Sequence, residues 1–117
     1  MFRFEQLDIW KESVKFANDI YSICKIFPKE EIFAMCDQLK RASVSISSNI
    51  AEGSGSSSNK DFKNYLSIST KSVFEIVSLL TIAKQNRYIS DDNFKILYNQ
   101  AEILTKRIQS FRNSLKL

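Results

Sequence analysis

Histidine is absent from the chain, and with it go the usual general base at neutral pH and the commonest side-chain ligand for transition metals. Glycine occurs twice and proline once in 117 residues. So few breaking points exclude the many tight turns of a β-sandwich or barrel and favour long helices. Cysteine also occurs only twice, at Cys24 and Cys36, outside any Cys-x-x-Cys spacing. The pair reads as two small buried apolar residues in a reducing compartment. The opening MFRFEQLDIWKE mixes charged and apolar residues and so lacks the unbroken apolar stretch of a secretory signal. No run approaches the roughly twenty apolar residues of a membrane span. The expectation is a cytoplasmic protein with no membrane association.

What is present fits one domain, residues 1–117, long enough to bury a core but too short for a second module. Net charge is +4, and its distribution says more than its size. Residues 1–56 carry seven basic and eight acidic groups, whereas residues 57–117 carry ten basic and five acidic. The basic half points mildly to an anionic partner.

Apolar and small residues recur at steps of three and four in four segments, the signature of a buried helix stripe. The first segment carries two such lines, Leu7, Trp10, Val14, Ala17, Tyr21, Cys24 and Ile9, Ser13, Phe16, Ile20, Ile23, Phe27. Two neighbouring lines require cover on more than one side. Pro28 ends that segment and Glu30 and Glu31 open the next, whose stripe is Ile32, Cys36, Leu39, Ser43, Ile46, Ile50. Gly53 or Gly55 is expected to close this helix in the left-handed conformation. Ser58, with Asp61 three residues on, resembles a capping box before a helix from about Asn59 to about Gln85. That helix follows Phe62, Leu66, Ser69, Val73, Ile76, Leu80, Ala83. Ser90 caps a last helix along Phe94, Leu97, Ala101, Leu104, Ile108, Phe111, Leu115.

Helices of about 20–27 residues, roughly 30–40 Å at 1.5 Å per residue, joined by short links make antiparallel neighbours. The predicted fold is all-α, an antiparallel up-and-down four-helix bundle. Its core needs one stripe per helix. The extra line on the first helix, with Ile96 and Ile103 on the last, suggests a subunit interface.

Catalytic readings find little support. Glu52-Gly53-Ser54-Gly55 contains a Gly-x-Gly, but it lacks the preceding strand and the Lys-Ser/Thr that phosphate loops need. Ser22 with Lys25 and Ser57 with Lys60 are chance Ser-x-x-Lys matches in a chain rich in both residues. No carboxylate pair or metal cage stands out, and neither a catalytic residue, a metal nor a cofactor is expected. A polar line of Asp37, Arg41, Ser45, Ser48, Asn49 and Glu52 leads to Gly53. Asp37 and Arg41 can pair on the helix surface; alternatively Arg41, Ser45, Ser48, Asn49 and Glu52 cap the adjoining corner through buried hydrogen bonds, a structural role favoured over ligand binding.

Basic residues of the last two helices carry the nucleic-acid reading: Lys60, Lys63, Lys71, Lys106, Arg107, Arg112 and Lys116. In a single subunit, ordinary solvation and the helix dipole account for them. Repeated around a ring of subunits, they become a multivalent phosphate contact without base readout. The alternative is a purely structural or protein-binding oligomer whose charges maintain solubility.

The segment FPKEEIFAMCDQLKRASVSISSNIAEGSG, followed by KDFKNYLSISTKSVFE and preceded by FEQLDIWKESVKFANDIY, resembles the bacterial four-helix-bundle proteins encoded in intervening sequences of 23S ribosomal RNA genes. That family includes the accessory variability proteins of diversity-generating retroelements. The resemblance covers nearly the whole chain. It implies a homopentameric ring and, in the retroelement branch, a basic scaffold that binds RNA or DNA and a reverse transcriptase. Departures include Met35-Cys36 where Leu-Thr is common, Lys40 for Arg, Ser47 for a frequent proline, and serines at 56–58 in place of a basic residue. The last takes positive charge away from that corner.

Overall fold

Ser58 and Ser90 cap their helices as the sequence predicts, although Asp61 does not return the reciprocal bond of a capping box to Ser58. The Ser58 hydroxyl accepts from the Asp61 amide at 3.1 Å, and the Ser90 hydroxyl accepts from the Asn93 amide at 3.0 Å. Each satisfies an amide that would otherwise lack a partner, a contribution of about 1 kcal/mol. The computed structural model describes residues 1–117 as four helices without a strand: α1 (Asp8–Cys24), α2 (Met35–Ser54), α3 (Asn59–Gln85) and α4 (Asp91–Ser114).

Cross-helix contacts fix an antiparallel order. The Cys36 thiol reaches the Cys24 carbonyl between α1 and α2, and the Ser69 hydroxyl donates to the Ile46 carbonyl at 2.9 Å between α3 and α2. Arg112 on α4 meets Lys63 and Ser67 near the start of α3. Arg107 pairs with Glu12, and Gln100 with Asp19, which closes α4 onto α1. The rod measures 45 × 22 × 21 Å. All seven seam residues of α3 are buried, as are Cys36, Leu39, Ser43, Ile46 and Ile50 of α2. Buried serine hydroxyls turn back onto carbonyls, Ser13 onto Ile9 at 2.6 Å and Ser43 onto Lys40 at 2.8 Å, so their burial leaves no unpaired donor.

Several boundaries and roles differ from expectation. α1 is 17 residues, shorter than predicted, and Pro28 precedes a separate 3-10 turn, Lys29–Glu31. α2 therefore begins at Met35, after a turn in which Ala34 has φ −118° and ψ −96°. Ile32 falls outside the helix and is exposed.

Neither glycine is left-handed; Gly53 lies within α2 and Gly55 caps it at φ −91°. Gly53 serves close packing instead, since a Cβ there would lie 2.7 Å from Tyr65 Cβ and 2.8 Å from Phe62 Cδ1. The left-handed residue is Arg87, φ 61°. It ends α3 with the Tyr88 amide on the Ala83 carbonyl and the Arg87 amide on the Lys84 carbonyl, a Schellman closure in the position glycine usually takes.

The second line of α1 is covered largely by the chain itself. Ile9, Ser13, Phe16 and Ile20 enter the core, Ala17 and Cys24 are buried, and Phe4 of the N-terminal 3-10 turn packs at a tilt against Trp10, ring centroids 4.9 Å apart. Ile96 and Ile103 stay open, at 58% and 52% exposure. α3 is also long and apolar enough to cross a membrane by length and composition, contrary to expectation. Its buried seam from Phe62 to Ala83 lies in the bundle core, where those apolar residues are already covered.

Candidate nucleic-acid interface

Lys60, Lys63, Ser67 and Lys71 are spaced three and four apart on α3, and Lys106, Gln109, Arg112 and Lys116 are spaced likewise along and just beyond α4. Such spacing gives the α3 set one helix face and Lys106, Gln109 and Arg112 one face of α4, while Lys116 follows the helix, beyond the extended Leu115. The two faces adjoin because the helix ends are tied together. The Arg112 Nε donates to the Lys63 carbonyl at 3.1 Å and to the Ser67 hydroxyl at 2.9 Å. The Asn59 side-chain Nδ2 donates to the Lys116 carbonyl at 2.6 Å. Arg112 is thus both a brace, through Nε, and a cation whose two amino groups keep no protein partner.

Lys60, Lys71, Lys106 and Lys116 are exposed and Lys63 half-buried, and none forms an ion pair. Arg107 departs from the group. It turns to the α1 side, where Glu12 neutralises it, so six of the seven expected cations gather on the α3–α4 face.

Two cavities open along that face. One of about 370 Å³ is lined by Ser67, Thr70, Lys71, Phe74, Arg112 and neighbouring amides. The other, about 580 Å³, is lined by Phe74, Val77, Tyr98, Glu102, Lys106 and adjacent residues. Phe74 and Gln109 wall both. Phe74 is not among the residues expected from sequence; its place directly after Val73, off the α3 seam, is the one sign there of an outward aromatic.

The polar line on α2 divides in two and does not cap the corner. Asp37 and Arg41 pair at 3.0 Å in solvent, while Ser48 and Glu52 are exposed. Asn49 Nδ2 donates to the Ser45 carbonyl at 2.8 Å and to its hydroxyl at 3.0 Å, and Ser72 of α3 donates to the same hydroxyl at 2.9 Å. The corner closes instead through backbone bonds from Gly55 to Glu52 and from Ser56 to Gly53, with Arg3 reaching the Ser54 carbonyl. A cavity at this corner carries Glu52 and Asp61 and no cation, which makes it a poor phosphate contact.

Two titratable groups are displaced from their ordinary values. Burial pushes the Cys24 thiol up to about 12, aided by the neighbouring Cys36 thiol, which makes Cys24 an inert core group. At Asp19 burial raises the carboxyl, but the Gln100 amide at 2.9 Å and Lys15 at 3.0 Å outweigh it and hold the group below its ordinary value. No three acidic or cysteine side chains converge as a metal cage.

The sequence model of the 23S rRNA-intervening sequence protein family matches residues 5–110. The chain belongs to that family. A crystal structure of a protein of unknown function from the S23 ribosomal protein family, from Bacteroides thetaiotaomicron VPI-5482, has the same fold with a TM-score of 0.83. It is 27% identical, and the match covers 91% of this chain and 96% of that one. No curated protein matches. Membership in the 23S rRNA-intervening sequence protein family and the shared fold account for the helical architecture and assign no activity.

Proposed function

We propose that this protein is a non-enzymatic homo-oligomeric scaffold that binds the RNA or DNA backbone through the α3–α4 face. The observation that carries the reading is the convergence there of Lys60, Lys63, Lys71, Lys106, Arg112 and Lys116, none of them in an ion pair. Cations without acidic partners can release condensed counterions from phosphates, and no part of this face need read a base edge. The family resemblance supports five copies in a ring, and a reverse transcriptase is the protein partner it suggests. Ile96 and Ile103 provide apolar surface for self-association.

The test is binding of random-sequence oligonucleotides between 50 and 300 mM salt, a range set by the steep salt dependence of phosphate contacts, roughly 0.7–0.9 in log–log slope per contact. Affinity that falls steeply with salt and varies little with sequence supports the proposal. Absence of binding at the lowest salt refutes it.

A second reading, a structural or protein-binding oligomer without nucleic-acid affinity, draws on the corner between α1 and α2. There Phe33 is 94% exposed beside the exposed Ile32. It predicts an assembly whose mass by light scattering is unchanged by nuclease and which captures no oligonucleotide.

A further inference from the structure

Phe74 is 56% exposed in the middle of α3, directly after a seam residue that is fully buried. It contributes to both cavities of the α3–α4 face and forms, with Gln109, the ridge between them. Cations stand on either side: Lys71 and Arg112 in the smaller cavity, Lys106 in the larger. Apolar surface placed among unpaired cations is poorly suited to an ion and well suited to a ligand whose charged backbone carries flat apolar groups.

We infer that Phe74 is a stacking platform for an unpaired nucleobase, so that the α3–α4 face selects single-stranded nucleic acid over duplex. The inference rests on the backbone-binding reading and adds the class of strand. In a duplex the base faces are hidden within the stack, and a protein surface of this kind meets only phosphate and sugar. A single strand can place its phosphates against Lys71 and Arg112, in the cavity without a carboxylate, and turn a base onto the Phe74 ring. Every base has a π-face, so stacking of this kind tolerates any sequence. The 370 Å³ and 580 Å³ cavities leave room for a base on either side of the ridge. Glu102 lines the larger cavity, which makes that side better for a base than for a phosphate.

The experiment compares fluorescence anisotropy of an oligouridylate and of a duplex carrying the same number of phosphates, for wild type, Phe74→Ala and Lys71→Glu. The expected result is tighter wild-type binding to the single strand. Phe74→Ala should lose roughly 5- to 160-fold on that probe, the range measured for removal of a stacking aromatic, with duplex affinity and salt dependence unchanged. Lys71→Glu should weaken both probes by similar factors. Phe74→Trp in a Trp10→Phe background supplies an independent readout, and the oligouridylate should quench its emission. If wild type binds both probes equally and Phe74→Ala changes neither, stacking is overturned while the backbone reading stands. If neither probe binds at low salt, the backbone reading falls and this inference with it.

Discussion

Replacing Gly53 by alanine sets two known effects against each other. In an ordinary helix interior the change stabilises by up to about 1 kcal/mol, because glycine loses more backbone freedom on folding. Here the new methyl would sit 2.7 Å from Tyr65 Cβ and 2.8 Å from Phe62 Cδ1, against an optimal carbon separation of about 3.5–4.0 Å. Neither neighbour yields easily. Tyr65 Cβ is fixed to the α3 backbone, and Phe62 is 1% exposed, packed against Phe111 at 5.6 Å and under the Arg3 guanidinium at 5.2 Å. Relief therefore requires α2 and α3 to separate where Gly53 meets Phe62 and Tyr65. Overpacking of this kind costs about 1–3 kcal/mol, so the net expectation is destabilisation by about 1–2 kcal/mol, or roughly 3–8 °C in melting temperature. Gly55→Ala is the matched control. It has φ −91° and no neighbour nearer than the Glu52 carbonyl at 3.6 Å, and should be neutral or stabilising by up to about 1 kcal/mol. Urea and thermal unfolding of both variants measure the contrast. A Gly53→Ala protein as stable as wild type would refute the close-approach account of this residue.

Arg87→Gly should stabilise by about 0.5–1 kcal/mol, since glycine removes the left-handed penalty at φ 61°; thermal melts report it. Asp19 has its folded-state pKa lowered, so its contribution is present above the unfolded carboxyl value of about 3.9 and is lost as pH falls through the folded value. Asp19→Asn should accordingly flatten the loss of stability below about pH 4, read by urea unfolding across pH. The Cys24 thiol, pushed up to about 12 and buried, should resist alkylation in the native protein and react on unfolding, as mass spectrometry will show. Ile96→Lys with Ile103→Lys should reduce the mass measured by light scattering if those residues form the contact between copies, while the melting temperature of the subunit changes little.

Local signals carried most of the fold. α3 runs from Asn59 to Gln85 as predicted because a side-chain cap, an unbroken seam and the acid of the first turn all agree. The start of α2 was misplaced because nothing between Pro28 and Met35 breaks the apolar pattern, yet the backbone turns at Ala34. The role of Gly53 depends on where Phe62 and Tyr65 arrive from another helix, and the left-handed Arg87 has no composition to announce it. The basic α3–α4 face was legible as a list of cations but not as a surface. Arg107 leaves the set through Glu12, 95 residues earlier in the chain, a pairing set by the register of α4 on α1. Phe74 was visible as an off-seam aromatic, and its neighbourhood emerged only with the alignment of α3 and α4.

The most direct test of the basic face compares two double charge reversals of equal net effect on oligonucleotide affinity. Lys71→Glu with Lys106→Glu alters the α3–α4 face, and Lys11→Glu with Lys25→Glu alters exposed lysines of α1 and its end. The account predicts that the first pair abolishes most binding and flattens the salt dependence by about one to two contacts' worth of slope, while the second leaves both nearly intact. Equal losses from the two pairs would show that overall charge, not this surface, governs the interaction.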